Sequence, residues 1–253
     1  MKIGIASDIH TEFGNQRELK LSERVDVLIL AGDIGYAENA ADYAHGMFGA
    51  DADHIVMVAG NHEYYGRVYQ HALDAAREAA TKYDNIHFLE NDRVVIDGIT
   101  FLGATCWTDY NHGGNKPLNM MAVEDGLNDY RRIRFYDNGS YRKIRATDID
   151  KINAASRAYL FNSMEHLDPE KTVIVMHHAP CELSINPKYV GSPLNAGYCN
   201  VWGNELAYGG PRLVVHGHVH DPVDYMLCNT QVIANPIGYP GENPDAGIRI
   251  IEI

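Results

Sequence analysis

Short apolar runs alternate with alanine-rich, helix-prone stretches along the first third of the chain. Lys2 to Ala6 reads as a short strand. Val25 to Ala31, VDVLILA, is a continuous run of strand length, and Ile55 to Ala59 repeats the pattern. Unbroken apolar runs of this length suit strands covered on both faces. The stretches Ala37 to Phe48 and Arg67 to Lys82 alternate with them and favour helix. The resulting β-α-β-α order predicts an α/β core with parallel strands at the front.

Residues 86 to 105 change character. Ile86 to Leu89, Arg93 to Ile96 and Thr100 to Ala104 are short and closely spaced, and Asp97-Gly98 is a tight-hairpin signal, so antiparallel or mixed pairing is expected here. Residues 107 to 145 are less regular, with a loop at 111 to 115. A long helix is predicted from about Thr147 to Leu167, with Ile149, Ile152, Ser156, Tyr159, Leu160, Met164 and Leu167 at mostly helical spacing. Thr147 and Asp150 offer a capping box at its start, and Asp168-Pro169 closes it. Strands return at Thr172 to Met176, Leu213 to Val215, Gln231 to Ala234 and Ile248 to Ile251. Residues 181 to 210, rich in glycine, proline, asparagine and tyrosine, read as a long irregular insertion, and loops that long in a compact domain are usually functional or disordered.

The polar residues matter most where the apolar runs stop. The first run ends in SDIH, with Asp8 and His10. The second ends in AGDIG, with Asp33 after Gly32. The third ends in AGNHE, with Asn61, His62 and Glu63. The run at 172 ends in MHHAP, with His177 and His178. The run at 213 leads into LVVHGHVHDP, where His216, His218 and His220 stand at every second position. If the extended chain continues there, the three rings emerge on one side. A lone histidine is ordinarily a hydrogen-bonded structural residue. Five segments delivering Asp, Asn and His to strand ends are hard to explain by packing, because a core gains nothing from buried carboxylates. Ligands in open α/β sheets gather outside the carboxyl ends of the strands. Nitrogen and oxygen donors without thiolate suit Mn, Fe, Zn, Co or Ni, and the donors are too many for one tetrahedral ion. Two ions sharing a bridging carboxylate would use them, an arrangement that serves in-line displacement at phosphate esters.

Length and composition narrow the class. The 253 residues suffice for one sizeable core, read here as a single domain over 1–253. Neither a signal peptide nor a run approaching ~18 apolar residues is evident, so a cytoplasmic location without a membrane span is the expectation. Cys106, Cys181, Cys199 and Cys228 are scattered and read as reduced thiols. The net charge of -13 makes long duplex nucleic acid an improbable partner. Oligomeric state is not legible.

The full set of motifs resembles the calcineurin-like metallophosphoesterase family: D-x-H at Asp8 to His10, G-D at Gly32 and Asp33, G-N-H-E at Gly60 to Glu63, His177, and G-H-x-H at Gly217 to His220, in family order. The resemblance implies two mixed β-sheets packed as a sandwich and flanked by helices. It implies two divalent ions, one held by Asp8, His10 and His220 and the other by Asn61, His177 and His218, with Asp33 between them. His62 would be a non-ligand histidine facing the phosphate and aiding the leaving group. A hydroxide bridging the ions would attack in line. His216 and His178 are extra, and a supporting or structural role is favoured for both.

Two insertions, about 107–145 and 181–210, carry no family-wide motif and are expected to border the site. Arg131, Arg132 and Arg134 could bind a second phosphate or a carboxylate. Tyr110, Tyr130, Tyr189, Tyr198 and Trp202 could stack on a base, or anchor the loops by packing. The substrate expected is a small phosphomonoester or phosphodiester. A nuclease or nucleotide hydrolase of the same chemistry, and a metal-bound interaction module without turnover, are the alternatives.

Overall fold

The two faces of strand β2 show how the layers are built. A computed structural model describes residues 1–14 and 18–253. Along it run β1 (Lys2–Ala6), β2 (Val25–Ala31), α1 (Ala37–Phe48), β3 (Ala52–Val58), α2 (Tyr69–Ala80), β4 (Ile86–Phe88), β5 (Asp92–Ile96) and β6 (Ile99–Ala104). Then come α3 (Lys116–Gly126), α4 (Asp129–Arg132), β7 (Arg134–Asp137), β8 (Ser140–Lys143), α5 (Ala146–Met164) and β9 (Thr172–Met176). The last elements are α6 (Gly203–Ala207), β10 (Leu213–His216), β11 (Val223–Leu227), β12 (Thr230–Ala234) and β13 (Arg249–Glu252). In β2, Leu28 and Leu30 pack against Ala40, Ala41, Ala44 and Phe48 of α1. Its alternate residues Val27 and Ile29 face the other way, onto Val173, Val175, Leu213 and Val215 of a second sheet. The part of the strand buried on both faces, residues 27–31, is therefore apolar, while half-buried Asp26 near its start accepts the Lys2 N–H.

The first sheet has the order β13-β1-β2-β3-β4, and the second β11-β12-β10-β9-β6-β5. In the first, β1 to β4 pair in parallel and β13 antiparallel; in the second, β6, β9, β10 and β12 are parallel and both edges antiparallel. Helices α1 and α2 cover the outer face of the first sheet. Leu160 of α5 and Trp202 and Leu206 beside and in α6 cover the second, over Leu102, Ile174, Val214 and Val232. This is the expected sandwich of two mixed sheets between helices. Asp97 and Gly98, both at positive φ, make the tight turn joining β5 to β6.

Three local features differ from the sequence reading. The long helix starts at Ala146, one residue before Thr147, so Thr147 and Asp150 form no capping box. Asp148 accepts the backbone N–H of Arg145 instead, at 2.9 Å, while Asp150 pairs with Lys116. The irregular stretch after Trp107 contains α3, α4 and the hairpin β7–β8. Strand β11 alternates half-buried and exposed positions and forms an edge of the second sheet. Within 181–210 the chain makes three 3-10 turns and the short α6. Buried Asn200 ties this insertion to the other: its amide group donates to the Trp107 carbonyl and its oxygen accepts from the Asp109 N–H and from Asn153 of α5. No helix among the described residues is long and apolar enough to cross a membrane.

Candidate metal centre

The carboxyl ends of β1, β2, β3, β9 and β10 lie side by side, and each delivers its polar cluster to one place. Asp8, His10, Asp33 and His220 have ligand atoms within 4.8 Å of one another, and so do Asp33, His177 and His218. Asp33 belongs to both groups. Asn61 joins the second, its Oδ1 3.1 Å from His177 Nε2. All seven residues predicted as ligands are thereby brought together.

Close approach of backbones makes this possible. A Cβ on Gly60 would stand 2.1 Å from Asp33 Oδ1, and one on Gly217 would stand 2.6 Å from Asp8 Oδ2 and 2.9 Å from the Ala31 carbonyl. Only glycine fits at either position, which explains the glycine before Asn61 and before His218. The donors themselves sit in unfavourable backbone conformations. Asp8, His10, Asp33, His218 and His220 have φ between 54 and 69°. Such left-handed conformations cost about 1–3 kcal/mol each outside glycine, and they persist where surrounding structure enforces them. Here each turns a side chain from its strand end toward the common centre.

The same turn corrects the expectation for the histidine triplet. β10 ends at His216, and the positive φ at His218 and His220 breaks the alternation. His216 points away and is buried, its Nε2 2.8 Å from Ser184 Oγ. His178 is likewise outside the donor set, packed between Trp107 and the His218 ring. Neither belongs to the two donor groups that share Asp33.

Hydrogen bonds decide which nitrogen each ring offers. Nδ1 of His10 lies 3.1 Å from Glu12 Oε1, that of His220 2.7 Å from Glu242 Oε2, and that of His177 2.8 Å from the Ala31 carbonyl. With Nδ1–H donated to these acceptors, Nε2 is the nitrogen each ring turns toward the centre. Such partners orient metal-binding histidines and raise their basicity. His10 Nε2 and His220 Nε2 converge to 3.1 Å. His218 uses the opposite nitrogen: its Nε2 contacts the Gly197 carbonyl at 3.3 Å. The Asn61 amide donates to Asp129 at 2.8 Å and to the Tyr65 hydroxyl, leaving its oxygen turned inward. Glu63 accepts backbone N–H groups from Asp33, Ile34, Gly35 and Gly60, clamping the second strand end to the third.

Charge is concentrated here. Burial alone would raise Asp33, but His177, His62 and His10 around it hold its carboxyl well below the usual range. Burial would lower His177, and the adjacent Asp33 instead raises it to about 9. His220 is raised to about 10, with Asp8 and Glu242 outweighing burial. Burial, reinforced by His177, drops His218 to about 3. Burial and the neighbouring Asp33 lift Glu63 to about 7. The acidic and basic groups thus face one another at short range, as a site that balances cationic charge with carboxylates requires.

His62 stands at the rim. Its Nδ1 lies 2.7 Å from Glu12 Oε1, the same oxygen that His10 uses, and its ring stacks on Tyr65. Burial opposes protonation of His62, but Asp33 and Glu12 raise its pKa. Its Nε2 is 3.2 Å from the Tyr239 hydroxyl. The centre opens into a cavity of about 650 Å³, walled by Leu127 to Asp129 from the first insertion, by residues between Ile185 and Tyr198 from the second, and by Tyr239 and Glu242.

Tyr130 and the three arginines singled out for substrate lie elsewhere, Arg134 over the Tyr141 ring at 5.8 Å. Tyr130 is buried with its hydroxyl 2.5 Å from that of Tyr110; Arg131 donates to the Asp125 carbonyl; Arg132 stacks on the Tyr65 ring at 5.5 Å. None of these lines the cavity, and among the described residues Lys188 is the lysine or arginine that does. Of the candidate stacking aromatics, Tyr189 and Tyr198 line it, while Tyr110 and Trp202 are core. Sequence reasoning missed Glu12, Asp129, Tyr239 and Glu242. Glu12 had a signal, since it lies two residues after His10, as His10 lies two after Asp8.

Comparisons with known proteins agree with this geometry. An uncharacterized protein of Acanthamoeba polyphaga mimivirus is 27% identical over 218 residues, covering 79% of this chain and 75% of that one. The crystal structure of phosphopantetheinyl hydrolase from Mycobacterium tuberculosis superposes with a TM-score of 0.72 at 19% identity, covering 99% of this chain and 95% of that one, a likeness of fold. A family profile described as calcineurin-like phosphoesterase matches residues 1–222. With its strand-end donors gathered at one centre and this match over most of its length, the chain belongs to the calcineurin-like phosphoesterase family, whose members are metal-dependent phosphoester hydrolases.

Proposed function

We propose that the chain hydrolyses a small phosphomonoester or phosphodiester at a pair of divalent ions. The observation that carries this reading is the sharing of Asp33 between two donor groups. Asp8, His10, Asp33 and His220 would hold one ion; Asp33, Asn61, His177 and His218 would hold the other. The donors are imidazole, carboxylate and amide, a set suited to Mn, Fe, Zn, Co or Ni. When bound, such ions supply positive charge to phosphoryl oxygens and lower the pKa of water toward ~7.

The protein's own contribution is orientation. Glu12 fixes His10 and His62 through one oxygen, so the ligand and the rim histidine are held in a common frame. His62, raised in pKa, holds a proton at the face of the cavity, where it serves a departing alkoxide. The cavity is far larger than a phosphate group and leaves room for a leaving group of nucleotide size. Tyr189 and Tyr198 on its wall favour, as a second reading, a nucleotide or another substrate with a flat ring. The whole chain, 1–253, acts as one unit in this account, with both insertions bordering the substrate.

The test begins with chelated protein reloaded with manganese and offered bis(4-nitrophenyl) phosphate, 4-nitrophenyl phosphate and a nucleotide panel. Release of nitrophenolate or phosphate supports the reading. No cleavage with any of the five metals rejects it.

A further inference from the structure

The loop from Asn235 to Gly247 follows β12 without helix or strand, yet it is closely tied to the centre. Ile237 N–H donates to the Ser7 carbonyl and Gly238 N–H to the Asp8 carbonyl, both at 2.9 Å. Glu242 accepts the Tyr239 N–H at 2.9 Å and His220 Nδ1 at 2.7 Å. These contacts pin the Tyr239 ring. It stacks on His10 at 4.4 Å, meets His220 edge-on at 4.6 Å and Phe13 at 5.3 Å. Its hydroxyl lies 3.2 Å from His62 Nε2 and borders the cavity.

We infer that Tyr239 is a further catalytic residue, whose hydroxyl hydrogen-bonds the ester oxygen that leaves phosphorus. The inference rests on the phosphohydrolase reading and concerns the same centre. A ligand oxygen that reaches His62 Nε2 from the cavity side meets a wall that Tyr239 shares, with the phenol oxygen 3.2 Å from that nitrogen. The ring is held on several sides, so the substrate does not push it out. The hydroxyl turns about its own C–O bond and donates to the newcomer. In hydrolysis the bond from phosphorus to the ester oxygen breaks with its electron pair on that oxygen, and a new bond forms from water oxygen to phosphorus. Of the two water hydrogens, one ends on the ester oxygen by way of the site and the other stays on phosphate. The phenol keeps its own proton and lends only a hydrogen bond to the charge building on the leaving oxygen. That bond counts most for basic leaving groups and least for nitrophenolate, which leaves without help.

The test is Tyr239→Phe in the metal-loaded full chain, compared with wild type on a series of aryl and alkyl phosphate esters. Metal content by elemental analysis and inorganic phosphate affinity by calorimetry are measured alongside. The expected result is a loss of about 10- to 100-fold in kcat for alkyl esters and about threefold or less for nitrophenyl esters, with a phosphate affinity about threefold or more weaker and metal content unchanged. An equal loss on all esters, no loss on any, or depleted metal would overturn the inference. The first two outcomes give the hydroxyl no part in leaving-group departure, and the third makes Tyr239 a support for His10. A wild type that cleaves none of the esters rejects the phosphohydrolase reading instead, and phosphate affinity then decides about Tyr239: equal binding by both proteins refutes its contact with the ligand.

Discussion

The strand ends and the two insertions meet at one cavity, but they are built in different ways. At the strand ends the candidate donors are buried, His220 partly so, and four of them are oriented by a hydrogen bond to a second residue: Glu12 for His10, Glu242 for His220, the Ala31 carbonyl for His177, and Asp129 of the first insertion for Asn61. On the insertion side the wall is looser. Lys188 and Tyr189 are half exposed, Lys188 lying over the Tyr189 ring and 3.4 Å from Asp221. The difference separates two tasks. Chemistry needs donors fixed to within fractions of an ångström, so it sits on rigid strands and on glycines that let backbones approach. In the function proposed here, substrate choice would fall to the loops.

Mutation can break or sharpen this contrast, and the expected effects shrink from the strand ends outward. His62→Ala should lower kcat by about 10²- to 10⁴-fold while metal content is retained, whereas Asn61→Ala should lose metal. Equal metal loss in both would place His62 among the ligands and erase the distinction between rim and centre. Glu63→Ala leaves four buried backbone N–H groups without their acceptor and should destabilise the fold by about 3 kcal/mol or more, read by chemical denaturation. Glu12→Gln keeps the shape but weakens both histidine contacts; a fall of about 10- to 100-fold in rate or metal affinity is expected. Lys188→Ala should act on the loop side alone, raising KM by about tenfold or less for substrates with a second anionic group and leaving kcat and metal content as they were. A large loss of kcat in the lysine variant would mean that the insertion wall takes part in chemistry.

How much of this was legible beforehand follows the same division. The layers were readable because strand segments buried on both faces are apolar, as in residues 27–31 of β2, and because the strands end abruptly in Asp, Asn and His. The seven candidate donors were picked out by their position at those ends and by family resemblance, and the fold brings them together. His216 shows where the reading stops. Alternation predicts three rings on one side, but the chain leaves extended geometry after β10, and nothing in the residue types announces a positive φ at His218 and His220. The arginines at 131, 132 and 134 were conspicuous in the sequence, yet Arg131 is consumed by a backbone carbonyl and Arg132 lies over the Tyr65 ring. Tyr239 and Glu242 were invisible because a loop without periodicity gives no hint of what its side chains reach. Helix α3 was hidden by a weakly patterned sequence with only Val123 fully buried. The buried Asn200 that joins the insertions looked like one more loop asparagine.

The most direct test of the account is the number of ions that the strand ends hold. Chelated wild-type protein, titrated with manganese or zinc and then analysed for bound metal, should take up two ions per chain, and Asp33→Ala should be impaired at both. Uptake of a single ion by wild type, or an Asp33→Ala variant that still binds two as tightly, would contradict a centre built around one shared carboxylate.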